Sequence, residues 1–432
     1  MITNAEITNR KSESIHKSEI LKGGGILIKS IKLKNWKSYK ESVLYIDPLT
    51  IVIGTNASGK SNAIDALILL SRIASGVGIF QAISGDVTLD SLRGGIDWVC
   101  KKNTRSFTLT VIMEYENVDY EYSVTIEVGT AKALITEETL IQCGTKRQRL
   151  FYTNLSDNKL SDISTYFSTG KQGKGQTFAL NRNTSILYQS KTLPLKKKET
   201  VEITTNLVKQ LSGIFILDPI PNHMRDYSPL AEKLATDGSN IAGVLAALEN
   251  EKKEEIQEKL TSYLRKIPEK DIERVWTERI GKFNTDAMLY CKEGWNEDEC
   301  IVDARGMSDG TLRFLSIMVA MLTNETNQLI VVEEVDNGLH PSRAKILIDM
   351  LKELGHERNL DVLITTHNPA LLDAAGTSMI PFITVAHRDE KGQSQLTLLE
   401  DIKNLPKMIS MGNIGELATN GKIESALARE EK

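Results

Sequence analysis

Residues 54–61 read GTNASGKS and follow an apolar, β-branched run of Leu49, Thr50, Ile51, Val52 and Ile53. No other feature constrains the chain as tightly, because G-x-x-x-x-G-K-S after such a run serves a strand, a phosphate-wrapping loop and a helix start. Gly54 and Gly59 permit backbone angles and a close approach that a Cβ would block. The loop N–H groups, with the positive end of the following helix, then surround the β- and γ-phosphates of ATP or GTP. Gly54, Thr55, Asn56, Ala57, Ser58, Gly59, Lys60, Ser61 and Asn62 form the candidate binding set. Lys60 is expected to bridge the phosphates and Ser61 to offer its hydroxyl to Mg²⁺. A plain Gly/Ser turn would have to explain strand, spaced glycines, lysine and serine together.

A second element lies far downstream, where residues 329–336 read LIVVEEVD. Leu329–Val332 reads as a buried strand ending in paired carboxylates. In phosphate-loop enzymes an acid at that position holds the Mg²⁺ shell, which suits Glu333. The acid beside it polarises the attacking water, which suits Glu334. Aspartate is usual at the first position, so Glu333 is a departure. Two solvated acids at a strand end would look the same in isolation; the phosphate loop makes the functional reading the stronger.

Three further segments decide the class. Residues 307–316 read MSDGTLRFLS and lead into an apolar helix, residues 336–341 read DNGLHP, and residues 362–368 read VLITTHN, a strand ending at His367. A serine–glycine signature, an acidic strand, a D-loop and a histidine strand in this order resemble the ABC-type ATPases, and among them the head ATPases of the SMC and RecF class. The likeness is closer to the AAA-family ATPases of bacterial anti-phage systems, including the overcoming-lysogenization-defect group and the ATPase subunit of PARIS-type systems. The opening IKSIKLKNWKSYK and the stretch DGSNIAGVL look like that class too. The resemblance runs from about residue 27 onward, with specific motifs over a fifth of it.

The resemblance implies ATP as the nucleotide, Mg²⁺ as its metal and a homo-oligomer, either a dimer of heads or a ring built from it. Ser308, Asp309, Gly310 and Thr311 would cap the γ-phosphate held by the opposite subunit, Asp336 would touch the partner, and His367 would contact the γ-phosphate or position the water. This signature reads SDGT and lacks the LSGGQ of transporters. Ser308 also reads as a helix N-cap, which uses the same geometry, and a lone histidine such as His367 also fits a hydrogen-bonded core position. The glutamine that joins the two lobes in the class has two candidates, Gln81 and Gln142, and stays open between them.

Composition agrees with a soluble cytoplasmic ATPase. Hydrophobic content of 41% and charged content of 25% are globular values, and no apolar run approaches the roughly twenty residues needed to cross a bilayer. The first 25 residues are polar without a signal-peptide core, so a loose arm is expected up to the glycines at 23–25. Four scattered cysteines, Cys100, Cys143, Cys291 and Cys300, lack metal-site spacing and read as reduced thiols. A net charge of −4 gives no global pull toward nucleic acid. Two basic runs, KRQR at 146–149 and KTLPLKKK at 191–198, are either solvated faces or contacts to DNA, RNA or an acidic partner.

The expected fold class is α/β, an ABC-type phosphate-loop ATPase head. Residues 26–155 read as a mixed-sheet first lobe with an antiparallel extension, 156–275 as an insertion and helical subdomain, and 276–432 as a parallel-sheet second lobe. Residues 156–200 have weak periodicity and suggest a mobile insertion. No heptad run of long-armed SMC length is present, though a coiled-coil stub of a few turns fits within 200–270. The segment after Asn368 shows no pattern of a toprim nuclease, so the resemblance implies a separately encoded effector, toprim-like or HNH. It also implies a phage protein or nucleic acid as trigger, and no membrane partner. A RecF-like repair or DNA-loading ATPase is the alternative, with a transporter nucleotide-binding subunit weaker because of the atypical signature.

Overall fold

The computed structural model describes residues 26–144, 146–154, 161–169, 175–267, 272–294, 300–410 and 412–430. The expected N-terminal arm, 1–25, lies outside them. Strands β1 (Leu27–Trp36) and β2 (Tyr39–Tyr45) form the opening hairpin, and β3 (Leu49–Ile53) enters the phosphate loop and its helix, Lys60–Ala74. β4 (Ser106–Tyr115), β5 (Val118–Gly129), β6 (Lys132–Cys143), β7 (Gln148–Asn154), β8 (Asp162–Ser168) and β9 (Gly175–Asn181) continue outward from β1, each antiparallel to the last. After β10 (Phe215–Leu217), a small sheet is built from β11 (Ser228–Pro229), β12 (Ile272–Ile280), β13 (Asp286–Glu293) and β14 (Cys300–Asp303). β15 (Leu329–Val332), β16 (Asp361–Thr365), β17 (Ile383–Arg388) and β18 (Ser394–Leu398) complete the large sheet.

Its strand order is β10-β15-β16-β3-β17-β18-β2-β1-β4-β5-β6-β7-β8-β9. From β10 to β17 the pairs are parallel; from β1 to β9 they are antiparallel. Parallel strands are covered on both faces, which is why β3, β15 and β16 are buried at every residue and apolar almost throughout. Side chains alternate between the two covers. Leu49, Ile51, Ile53, Ile330, Val332, Val362 and Ile364 enter one core, while Val52, Val331 and Leu363 enter the other. The phosphate-loop helix packs Ala63, Ile64, Leu67 and Leu70 into the second core. The signature helix, Asp309–Thr323, packs Leu312, Phe314, Leu315 and Met318 into the first. The two helices therefore lie on opposite faces of one sheet.

The antiparallel half alternates buried and solvated residues, as a one-faced sheet must. Phe107, Leu109, Val111 and Met113 face the core, and Trp36 meets Phe107 edge-on at 4.9 Å. Two expectations are corrected here. The stretch 156–200 supplies β8 and β9 to the sheet, with 155–160 and 170–174 outside the described residues, because alternation such as Ile163, Thr165 and Phe167 facing inward is enough to extend it. The helices Lys198–Ser212 and Asn250–Leu264 do not project as a coiled coil: they bury Ile203 and Leu207, and Ile256, Leu260 and Leu264, in the body.

The strands expected at Val275–Tyr290 and Phe382–His387 are present as β12, β13 and β17. No helix among the described residues is long and apolar enough to cross a membrane. None of the four cysteines forms a disulfide among the described residues. The two basic runs converge on one end of β7–β9: Gln148 donates to Ser168 at the end of β8 at 3.4 Å, and Gln176 of β9 bonds Pro194 O and Lys196 N.

Candidate nucleotide site and signature segment

The loop between β3 and its helix is shaped from several sides. Gly59 has φ 121°, and a Cβ there would sit 2.6 Å from Ser394 Oγ and 2.8 Å from Tyr39 Oη. Only glycine fits this backbone. Tyr39 Oη donates to Gly59 O at 2.9 Å and Arg388 Nε to Ala57 O at 2.9 Å. Trp36 Nε1 donates to Asn62 O at 2.6 Å, and Asn62 Nδ2 to Ser38 Oγ at 2.7 Å. The hairpin turn at 35–39 thus braces the helix start. That helix has no side-chain cap, which leaves its first N–H groups directed at the loop. Ser58 Oγ is buried without a hydrogen-bond partner among the described residues, while Thr55, Asn56, Ala57 and Ser61 are exposed. Lys60 Nζ donates to Gly54 O at 2.6 Å and Thr55 O at 3.1 Å.

The acid segment meets this loop. Burial lowers the Lys60 ammonium from its ordinary range while Glu334 and Asp336 push it back up. Parallel pairing of β16 with both β3 and β15 brings the phosphate loop and the acids to the same end of the sheet, although they lie far apart in sequence. Glu334 has φ 45°, an unusual backbone for a non-glycine residue; Thr365 Oγ1 accepts its N–H at 2.8 Å, and Asn337 Nδ2 lies 3.4 Å from its Oε2. Asp336 is 7% exposed and its Oδ1 has no hydrogen-bond partner among the described residues. His367 is exposed just past the end of β16, next to Thr366, whose N–H donates to Val52 O at 3.2 Å. It emerges where β3 and β15 also end, the side of a parallel sheet at which ligands bind.

Glu333 is placed differently from its neighbour. It is 7% exposed, its N–H donates to Leu217 O at 3.0 Å, and Arg93 forms an ion pair with its carboxylate. Burial pushes the Glu333 carboxyl above the ordinary range, Arg93 opposes the shift, and Asp218 and Asp65 add to it. Asp65, 1% exposed in the phosphate-loop helix, pairs with Lys37, whose ammonium also donates to Arg93 O at 2.7 Å. Sequence reasoning missed Lys37, Asp65, Arg93 and Asp218. One signal was available: Asp65 is a carboxylate inside the apolar stripe Ala63–Leu67, where an unpaired charge would be costly.

The signature lies on the other face. Ser308 is the N-cap, its Oγ accepting from Thr311 N at 3.1 Å and lying 2.8 Å from Thr311 Oγ1. A Cβ on Gly310 would come within 2.6 Å of Gly338 O, so the signature helix start is seated against the D-loop. Asp309 is ion-paired with Arg225. Of the two candidate glutamines, Gln81 bonds the Asp86 carboxylate and Gln142 pairs within β5–β6–β7.

The residues fit a nucleotide with its metal. A close-fitting glycine loop, an uncapped helix start, the buried Ser58 hydroxyl and Lys60 suit a triphosphate, and the exposed Ser61 at the helix start suits its Mg²⁺, whereas the Glu333 carboxylate is engaged by Arg93.

No curated protein matches the sequence. Among solved structures, an SMC head bound to the C-winged helix domain of ScpA is 13% identical, covers 86% of this chain and 97% of that chain, and superposes with a TM-score of 0.50. An SMC head with an extended coiled coil, bound to the C-terminal domain of ScpA from Pyrococcus furiosus, is 13% identical over 89% of this chain and all of that one, with a TM-score of 0.48. The first likeness shows the fold, an ABC-type phosphate-loop ATPase head. Residues 49–373 match the family model described as "AAA domain, putative AbiEii toxin, Type IV TA system", and the chain belongs to that family of AAA-type ATPases.

Proposed function

We propose that this ATPase hydrolyses ATP between two copies of the chain, and that assembly and release hold and then free a separately encoded effector, a toprim-like or HNH nuclease, in a PARIS-like antiviral system of the cytoplasm. One observation carries the shared-site reading: the phosphate-loop helix and the signature helix begin on opposite faces of the same sheet. A signature on the far face acts on the phosphate of a neighbouring copy, not on its own. The family description, which names a toxin of a toxin–antitoxin system, supports the defence setting.

In this reading the loop from Gly54 to Asn62 binds the triphosphate and Lys60 offsets its charge. Mg²⁺, held through Ser61, supplies further charge neutralisation when bound. Glu334 accepts a proton from the attacking water and His367 orients that water or the γ-phosphate. The N–H groups at Asp309 and Gly310, with Ser308 and Thr311, face the partner's phosphate, and Asp336 lies at the interface. The meeting of the two basic runs beside β7–β9 supports a phage-derived nucleic acid or acidic protein as trigger.

The test combines substitution with mass measurement. Glu334→Gln is expected to keep ATP bound, block hydrolysis and trap an assembled oligomer. Lys60→Ala should lose nucleotide binding, and Ser308→Arg should bind nucleotide without turning it over. Normal hydrolysis by Ser308→Arg as a monomer would overturn the shared site.

A further inference from the structure

The signature loop is held by one arginine from a distant part of the chain. Arg225 Nη1 donates to Ala304 O at 3.2 Å, Arg305 O at 3.0 Å and Met307 O at 2.7 Å, while Nη2 pairs with the Asp309 carboxylate. Three carbonyls that precede the signature and the first acid of its helix thus converge on a single guanidinium. The fork geometry of arginine suits this task, whereas a lysine ammonium is a point donor.

Arg225 is itself anchored. It follows the short helical turn Pro221–Met224, where Met224 is 1% exposed and packs beside Gly238 close to Ser316 of the signature helix. Ile220 N donates to Asp237 O at 3.0 Å and fixes the segment upstream. Downstream, Arg305 lies over the Tyr227 ring at 5.7 Å and pairs with Asp303. The segment 220–227 therefore grips 303–309 at two points.

Charge gives this grip a second consequence. Asp309 occupies the first turn of a helix whose N–H groups are proposed to meet a partner's γ-phosphate, and an unbalanced carboxylate there would repel it. Arg225 balances that carboxylate within the same contact that sets the loop.

We propose that Arg225 is the positioning residue of the trans-acting signature: it presets the loop 304–309 and neutralises Asp309, so that the helix start can close on the nucleotide of a second copy. This rests on the shared-site reading above. Among the described residues Arg225 bonds within 304–309 and not to the phosphate loop or to Glu333 and Glu334 of its own copy, so its loss should leave nucleotide binding intact.

The experiment measures nucleotide affinity, turnover and melting temperature for Arg225→Gln and Arg225→Lys in the full chain, then turnover of equimolar mixtures. Arg225→Gln should bind nucleotide as the wild type does and lose about 10- to 100-fold in turnover, with Arg225→Lys between the two. Mixed with Lys60→Ala, Arg225→Gln should recover turnover well above either alone, because an intact loop then faces an intact signature. Ser308→Arg with Lys60→Ala is the reference mixture. Recovery in the reference mixture without recovery for Arg225→Gln, or wild-type turnover by Arg225→Gln alone, overturns the role of Arg225 and leaves the shared site standing. No recovery in the reference mixture overturns the shared site itself, and this inference with it.

Discussion

Thr365 Oγ1 accepts the backbone N–H of Glu334 at 2.8 Å, and Thr365 O accepts the N–H of Val335 at 3.1 Å. The last residue of the strand leading to His367 therefore pins the acid segment of the neighbouring strand on both sides. A buried hydroxyl and a carbonyl do what sequence distance cannot: they fix the proposed water-activating group against the proposed phosphate sensor.

Thr365→Val keeps the volume and removes the acceptor. It should cost about 1 kcal/mol of stability through the unpaired N–H, and lower turnover more than it lowers nucleotide affinity. Parallel turnover and binding titrations check this; equal losses in both would assign Thr365 to folding alone.

Glu334 holds φ 45°, a conformation glycine adopts without strain. Glu334→Gly should therefore raise stability by about 1 kcal/mol while abolishing hydrolysis, as expected where backbone strain is stored at a working residue. Thermal melting beside a phosphate-release assay tests the pairing of gain and loss.

At Gly310 two effects oppose each other. Alanine favours a helix by about 1 kcal/mol over glycine, but its Cβ would fall 2.6 Å from the backbone oxygen of Gly338, which cannot swing aside like a side chain. Overpacking of this kind costs about 1–3 kcal/mol, so Gly310→Ala should destabilise the chain and displace the signature from the D-loop. Lower melting temperature with reduced turnover and retained nucleotide binding is the expected outcome.

Away from the site, Glu138 is wholly buried and accepts bonds from Tyr122 Oη, Ser185 Oγ, Ile186 N and Leu187 N. Glu138→Gln turns an amide N–H₂ toward donors and should cost about 1–3 kcal/mol. Burial holds the Glu138 carboxyl above its ordinary value of 4.5. A raised folded-state value means that the folded protein keeps the proton longer, so the wild type loses stability as pH rises through it. The glutamine variant has no such term, and the gap between the two should narrow from pH 4.5 upward in denaturant titrations.

Much of the parallel half was legible because its signals are local. LTIVI before GTNASGKS and LIVV before two glutamates are runs whose own composition demands burial and whose ends demand a strand terminus. The alternation of Phe107, Leu109 and Val111 announced the antiparallel half in the same way. Residues 156–200 were harder to read, since the polar and glycine-rich flanks of β8 and β9 masked short stretches of alternation. Gln81 and Gln142 stayed open because a glutamine carries no local sign of its partner.

The sequence by itself determined the phosphate loop, its strand and helix, the acid-ended strand and the N-cap at Ser308, because each depends on residues a few positions apart. Tertiary structure alone decided that Arg93 pairs with Glu333, that Arg225 grips 304–309, and that signature and phosphate loop take opposite faces. Those contacts join residues tens to hundreds of positions apart, and their partners are selected by sheet order and burial, in which an unpaired charge costs more than any local propensity can return.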